Sequence, residues 1–92
     1  METNFNLHIG KKIKFRRLEL GLTQTKFGKV LNYSLQQIQK YEKGTNAVSS
    51  LGLLRLANFL KVPITYFYEG YSEYQIPKEP TVITVKEAVN EV

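Results

Sequence analysis

A chain of 92 residues with 42% hydrophobic residues can form one compact domain around a small core, followed by a short tail. It contains no cysteine, which excludes disulfide bonds, thiolate metal sites and cysteine nucleophiles. No apolar run approaches the roughly 18 residues of a membrane helix, and the polar N-terminus lacks the apolar stretch of a signal peptide. We therefore expect a soluble, cytoplasmic protein without a membrane partner.

The chain is basic, with 13 Lys and Arg residues against 8 Asp and Glu residues and a net charge of +5. The excess lies in residues 1–70, which hold 11 Lys and Arg and 4 Glu, whereas residues 71–92 hold 2 Lys and 4 Glu. A basic chain favours a polyanionic partner, but an ordinary solvated surface accounts for the same charge.

Apolar residues recur at helical spacing through most of residues 5–69 and predict five short helices. Residues that commonly cap helices lie between the periodic stretches. The first three predicted helices are Asn6 to Leu20, stopped by Gly21; a helix capped by Thr23 that carries Phe27, Val30 and Leu31; and, after a turn at Asn32 and Tyr33, a helix capped by Ser34 that ends near Lys43 at Gly44. The last two are a helix starting at Ser49 or Ser50, with Leu53, Leu54, Leu56, Ala57 and Leu60 facing inward, and a short helix from Ile64 to about Tyr68. The short connections predict an all-α bundle over residues 5–70.

Residues 71–92 form a predicted tail in which Pro77 and Pro80 break helical continuity. Thr81–Val85 is rich in β-branched residues and fits a strand, whereas Thr84–Val92 fits a short helix. Neither element is stable alone, so either one needs a partner, such as a second copy of the chain. A flexible tail is the third alternative.

The third predicted helix carries a polar stripe opposite an apolar anchor. At about 100° per residue, Ile38 and Tyr41 point one way and the stripe points the other. The stripe consists of Leu35, Gln36, Gln39, Lys40 and Lys43. Glutamine pairs bidentately with adenine, lysine reaches guanine acceptors and leucine touches a thymine methyl, so the stripe suits base reading. Glutamine and lysine also fill ordinary helix surfaces, so the stripe alone leaves DNA binding undecided.

Three groups of residues resemble the lambda-repressor-like (Cro/repressor, XRE-type) helix-turn-helix regulators, over about Ile9 to Glu69. They are Gly21-Leu22-Thr23-Gln24 at the start of the second helix; Ser34, Ile38, Tyr41, Glu42 and Gly44 in the third; and Leu53, Ala57, Leu60, Val62 and Phe67 beyond it. The resemblance implies a five-helix DNA-binding bundle in which the third helix reads DNA.

The resemblance also implies roles for single residues. The implied base-reading residues are Leu35, Gln36, Gln39 and Lys40. The implied phosphate-binding residues are Thr23, Gln24, Lys43, Thr45 and Asn46, with Gln24 also bracing a base-reading side chain. Arg17 and Glu42 are implied to form a structural pair between the first and third helices.

The chain departs from the family pattern at five positions. Leu35 is less polar than expected of a base-reading residue. Gly28 stands where alanine is commoner, Asn32 replaces the turn glycine, and Val48 replaces a frequent proline. Arg16 lies at a position that is often apolar. Either Arg16 contacts phosphate, or Phe15 fills the core from a shifted register.

Together these features predict a sequence-specific transcriptional regulator of double-stranded DNA. We expect a homodimer that reads a palindromic operator with its third helix in the major groove, with repression favoured over activation. The expected dimer surface consists of Tyr66, Phe67, Tyr68, Tyr71 and Tyr74, completed by the tail; partial core packing, above all of Phe67, is the alternative. A protein-interaction module of the same fold, such as an antitoxin or anti-regulator, is the alternative function. We expect no enzyme activity, cofactor or metal site, and no small-molecule pocket in so small a bundle.

Overall fold

The computed structural model describes residues 2–75, with side chains from residue 4 onward. This part of the chain folds into four α-helices and one 3-10 helix, without a strand. The elements are α1 (Glu2–Glu19), α2 (Gln24–Leu31), α3 (Leu35–Lys43), α4 (Ser50–Leu60) and the 3-10 helix (Ile64–Phe67). The all-α prediction is confirmed here. The predicted strand or helix of the tail falls on residues 81–92, outside the described residues.

Helix ends follow the capping signals in the sequence. The side chains of Thr23, Ser34 and Ser49 accept hydrogen bonds from the N–H groups of Lys26, Gln37 and Gly52 at 3.0–3.1 Å. The residues that follow the four α-helices in left-handed geometry are Gly21, Asn32, Gly44 and Lys61. The next N–H closes each helix on a carbonyl five residues back, as Tyr33 does on Gly28 at 2.8 Å. These contacts confirm the predicted turn at Asn32.

Two predicted helix bounds were wrong. α1 begins at Glu2 rather than Asn6. Phe5 packs against Tyr68 and Tyr71, with ring centroids 5.7 and 5.0 Å apart, so a distant segment holds a first turn that the local pattern does not reveal. The fifth element, predicted as a helix ending at Tyr68, is instead a single 3-10 turn. Tyr66 N–H bonds to Pro63 O at 2.9 Å, and Pro63 has no N–H with which to extend the turn backwards.

The core lies where α1, α3, α4 and the 3-10 helix meet, with Phe27 contributed by α2. Its buried apolar residues are Ile9, Ile13, Phe27, Ile38, Leu53, Leu56, Ala57, Leu60 and Phe67. Leu54, predicted to face inward, is 48% exposed, and Leu18, Leu20 and Val30 are also exposed. Leu54, Leu18 and Val30 lie on the outer sides of their helices, and Leu20 lies just after the end of α1. Helical spacing therefore overcounted the core.

Arg16 resolves the choice left open by the family pattern. Phe15 is 61% exposed and fills no core position. Arg16 donates from Nε to Leu60 O at 3.0 Å, at the C-terminal end of α4. A guanidinium satisfies a carbonyl that has no partner within its own helix, and it favours the negative end of the helix dipole. Over the described residues, no helix is long and apolar enough to cross a membrane.

Candidate nucleic-acid interface

α3 is the element that displays the predicted base-reading residues. Ile38 is completely buried beneath it, and Tyr41 is half-buried against Tyr33, with ring centroids 5.8 Å apart. Burial, followed by the neighbouring Tyr33, raises the pKa of Tyr41, so its hydroxyl stays neutral near pH 7. The opposite face holds Leu35, Gln36, Lys40 and Lys43, all exposed, and Gln39, which is half-buried. The structure therefore places all four predicted base-reading residues and Lys43 on the outer side of one anchored helix.

A buried ion pair joins α3 to α1. Arg17 donates from Nε to Glu42 Oε2 at 2.6 Å and from Nη2 to Glu42 Oε1 at 3.0 Å. Its third bond runs from Nη1 to Leu22 O at 2.7 Å. Both side chains are almost completely shielded from solvent. Because the guanidinium grips the carboxylate with two bonds, it fixes both the position and the rotation of α3.

Gln24 adds a third member to this buried cluster. Its Nε2 donates to Glu42 Oε1 at 3.0 Å, the same oxygen that accepts from Arg17. The family resemblance implies that Gln24 braces a base-reading side chain; in the structure its side chain instead contacts the Glu42 carboxylate, which anchors α3. Arg17, Gln24 and Glu42, here called the clamp, connect α1, α2 and α3.

The first turn of α2 lies beside the clamp. Thr23 is exposed, and its hydroxyl oxygen caps Lys26 N–H at 3.1 Å. The first N–H groups of any α-helix lack an acceptor within the helix. At Gln24 and Thr25 these groups stand at the positive end of the helix dipole, where an anion is favoured.

The segment after α3 carries the other predicted phosphate ligands. Lys43, Thr45 and Asn46 are all exposed, as a phosphate contact requires. Thr45 directs both its N–H and its hydroxyl to Lys40 O, at 3.0 and 3.2 Å. In this arrangement Thr45 closes the helix, and its hydroxyl must rotate before it can donate to a phosphate.

Gly10 is a site-positioning residue that the sequence analysis missed. A Cβ atom at Gly10 would collide with the backbone carbonyls of Tyr41 and Glu42, so α1 crosses α3 in direct backbone contact. A Cβ at Gly44 would likewise lie 2.6 Å from Leu7 Cα. An isolated glycine inside a helix costs about 1 kcal/mol relative to alanine. That cost was the available signal that Gly10 has a packing role.

The described surface also carries a groove on the side of the first turns of α1. An open groove of about 620 Å³ lies between the start of α1, the segment before α4 and the residues after the 3-10 helix. It is lined by Phe5, Ala47, Val48, Tyr68, Tyr71 and Tyr74, with Asn6 and Glu73 as polar members. The sequence predicted no small-molecule pocket, and this groove is an open surface depression rather than an enclosed cavity. We call this feature the aromatic groove.

Ionisable groups elsewhere form no metal centre in the described part of the chain. Residues 4–75 hold no group of three or more His, Asp or Glu side chains placed to bind a metal ion. Arg16 and Glu19 form an exposed ion pair at 3.3 Å, which is worth little to stability. The basic side chains of the first 70 residues therefore remain the dominant electrostatic feature.

Comparison with known proteins agrees with this geometry. A family model described as helix-turn-helix matches residues 13–67. An uncharacterized HTH-type transcriptional regulator of Sinorhizobium medicae is 45% identical over 64 residues, covering 70% of this chain and 46% of the relative. An uncharacterized transcriptional regulator in the ATPase CF(0) region of Rhodospirillum rubrum is 43% identical over 61 residues, covering 66% and 56%. The HTH-type transcriptional regulator DicA of Escherichia coli is 32% identical over 81 residues, covering 88% and 56%.

The family-model match over residues 13–67 contains α2, α3 and all of the buried apolar core except Ile9. The chain spans about half the length of these relatives. With the clamp, the capped α2–α3 turn and the family match in agreement, the chain belongs to the XRE-type helix-turn-helix family.

Proposed function

We propose that this protein is a transcriptional regulator that binds double-stranded DNA in a sequence-specific manner. It acts as a homodimer and a repressor, with α3 of each copy in the major groove of a palindromic operator. One observation carries the proposal: the buried clamp holds α3 in a fixed orientation while its polar stripe stays exposed. The regulator names of the relatives support the same function.

The proposed base contacts follow from the chemistry of the stripe. Gln36 and Gln39 each offer an amide donor and acceptor, the pattern that pairs with adenine, and Lys40 supplies a cation for guanine N7 and O6. Leu35, 39% exposed, supplies an apolar contact for a thymine methyl. Because α3 cannot rotate without breaking the clamp, these side chains arrive together at adjacent base pairs.

The proposed phosphate contacts flank α3 on both sides. The first turn of α2, with Thr23 and Gln24, grips one phosphate through backbone N–H groups, and Lys43, Thr45 and Asn46 grip another. Gln24 does so with its backbone, since its side-chain amide is bonded to Glu42. These contacts set affinity and register but carry no sequence information.

A homodimer gives the two-fold symmetry that a palindrome requires. Two copies of α3 must reach half-sites one helical turn apart, about 34–36 Å along the DNA. Tyr66, Tyr68, Tyr71 and Tyr74 are half-buried, whereas Phe67 is buried in the core. The dimer surface is therefore proposed at the four tyrosines, without Phe67.

Selection of bound DNA from a random pool, followed by gel-shift titration, tests the function. We expect an enriched motif with two-fold symmetry at moderate salt. A pool that yields no enriched sequence would refute sequence-specific binding and favour the protein-interaction alternative.

Three alanine variants then test the assigned face. Gln36→Ala should lose about 1–3 kcal/mol of discrimination at one base position of each half-site. Lys43→Ala should weaken binding to all sequences alike and reduce the magnitude of the salt slope by about 1. Lys14→Ala removes the same charge from an exposed position on α1 and is the matched control. If Lys14→Ala weakens binding as much as Lys43→Ala, the phosphate assignment fails.

A further inference from the structure

The outer side of α1 carries apolar side chains that no element of the described chain covers. Leu7, Phe15 and Leu18 are 37%, 61% and 57% exposed. At about 100° per residue these three and Lys11 fall within an arc of about 80°, opposite the buried side of the helix, which carries Ile13. They extend over about 16 Å, or roughly three turns. We call Leu7, Lys11, Phe15 and Leu18 the α1 stripe.

The charge on this side of α1 is positive. Lys11 lies within the stripe and Lys14 borders it, and both side chains are exposed. Neither lysine forms an ion pair with another described residue. Glu19, at the end of the same helix, is already bonded to Arg16 at 3.3 Å. The α1 stripe is therefore an apolar surface whose positive charge has no counter-charge within the described part of the chain.

This arrangement disfavours two simple occupants. In a two-fold, antiparallel pair of α1 helices, Leu7 would face Leu18, but Lys11 would face Lys14 of the other copy, and like charges in contact are costly. Helices that lie on a lipid surface keep their cations on the polar face. Lys11 instead lies in the middle of the apolar stripe, where a membrane would press its ammonium group towards the acyl chains.

We infer that the α1 stripe binds an acidic amphipathic helix of a partner protein. The apolar residues of such a helix cover Phe15 and Leu18, as in the packing of any two helices. Its carboxylates lie opposite Lys11 and Lys14 and supply the missing counter-charge. Because the contact is only about three turns long, it belongs to the small, transient class of interfaces.

The α1 stripe is separate from the surfaces assigned above. α1 packs against the buried side of α3, where Gly10 meets the Tyr41 and Glu42 carbonyls, so the stripe and the base-reading residues lie on different sides of the molecule. The stripe includes none of the four tyrosines proposed for the dimer surface, and none of its residues lines the aromatic groove. A DNA-bound copy can therefore hold the partner at the same time. That consequence rests on the proposed function; the docking itself does not, and its test uses no DNA.

Titration of the full ¹⁵N-labelled chain with two synthetic helical peptides tests the inference. One peptide carries a leucine stripe flanked by glutamates, and the other has lysine in place of each glutamate. We expect the glutamate peptide to shift the amides of Lys11, Phe15 and Leu18, with no comparable effect on α2. The lysine peptide should bind at least about ten-fold more weakly. Equal binding of the two peptides, shifts centred on another helix, or no binding would overturn the inference.

Matched variants on α1 and α2 locate the site. Phe15→Ser should weaken binding of the glutamate peptide about ten-fold, whereas Val30→Ser, which removes an equally exposed apolar side chain from α2, should not. Lys11→Glu should abolish the preference for the glutamate peptide, whereas Lys29→Glu, at an exposed position on α2, should preserve it. Equal effects of the α1 and α2 variants would contradict the assigned surface. The amide spectrum of each variant also shows whether the domain remains folded.

Vesicles and sedimentation test the two other occupants. We expect neither binding of the chain to phosphatidylglycerol vesicles nor self-association to change in Phe15→Ser. Vesicle binding that is lost in this variant would assign the α1 stripe to a lipid surface. Self-association that is lost in it would assign the stripe to a second copy, and either result would overturn the inference.

Discussion

Removing one member of the Arg17–Glu42 pair should destabilise the fold more than removing both. Both residues are buried, with side chains 7% and 3% exposed, and Arg17 makes all three of its bonds inside the protein. Glu42→Leu leaves a buried guanidinium without its counter-charge and leaves the Gln24 amide without its acceptor. Arg17→Met leaves a buried carboxylate with Gln24 as its remaining donor.

The expected magnitude follows from the burial. Breaking a buried pair from one side costs about 3–5 kcal/mol. A domain of this size is stable by only about 5–15 kcal/mol. Since 1 kcal/mol corresponds to about 4–8 °C in a domain of 60–100 residues, each single variant should lose at least about 12 °C in Tm.

The double variant Arg17→Met/Glu42→Leu should be more stable than either single variant. Replacing both charges by apolar groups of similar volume removes the unpaired charge. The Leu22 carbonyl and the Gln24 amide still lose their partners, which costs about 1–3 kcal/mol for each group that stays buried. We therefore expect a strongly non-additive cycle.

Urea unfolding followed by far-ultraviolet circular dichroism measures all four proteins. If all four proteins have the same m-value, their free energies of unfolding can be compared directly. If the single variants lose less than about 1 kcal/mol, or if their losses simply add in the double variant, the clamp does not hold α3 in the way described.

Three further predictions concern other positions, each measured as the free energy of unfolding. Gly10→Ala should lower the free energy of unfolding by about 1–3 kcal/mol, although alanine has the higher helix propensity, because the new Cβ meets the Tyr41 and Glu42 carbonyls. The control Lys14→Ala, on the exposed side of α1, should change it by less than about 0.5 kcal/mol. Lys61→Gly should raise the free energy of unfolding by up to about 1 kcal/mol, because Lys61 follows α4 with a φ of 57°, where glycine is free of strain. An equal increase in Lys61→Ala would contradict this reason. Burial, and then the charge of Lys12, lower the pKa of His8, so the unfolded chain binds the proton more tightly and stability should fall as the pH drops below about 6.5. In His8→Gln the free energy of unfolding between pH 7.5 and 5.5 should be nearly constant, and a wild-type decline that persists in this variant would assign the effect to another group.

Local signals in the sequence were enough to locate α2, α3 and α4. Thr23, Ser34 and Ser49 cap the helices through bonds that reach only three residues ahead. Asn32 and Gly44 end helices through bonds that reach three to five residues back. Such interactions join residues that are close in the sequence, so the sequence alone determines them. The same is true of the polar stripe on α3, which depends only on helical spacing.

Contacts between distant residues were decided by the tertiary structure. The Arg16–Leu60 bond spans 44 residues and turns a suspected phosphate ligand into a cap for α4. Leu54 has the residue type and spacing of a core position, yet among the described residues no element covers it. Gly10 neither caps a helix nor forms a turn. Its role is to let α1 contact the backbone of α3, which only the tertiary structure shows.

The division between the two sources has a physical basis. Periodicity and capping are short-range properties of a single helix, so the sequence determined which segments are helical and which residues α3 displays. How the helices cross depends on close packing and on buried polar partners contributed by other helices. The family resemblance implied the Arg17–Glu42 pair, but only the tertiary structure could show that the Gln24 side chain shares the Glu42 carboxylate with Arg17, because the three residues come from three different helices.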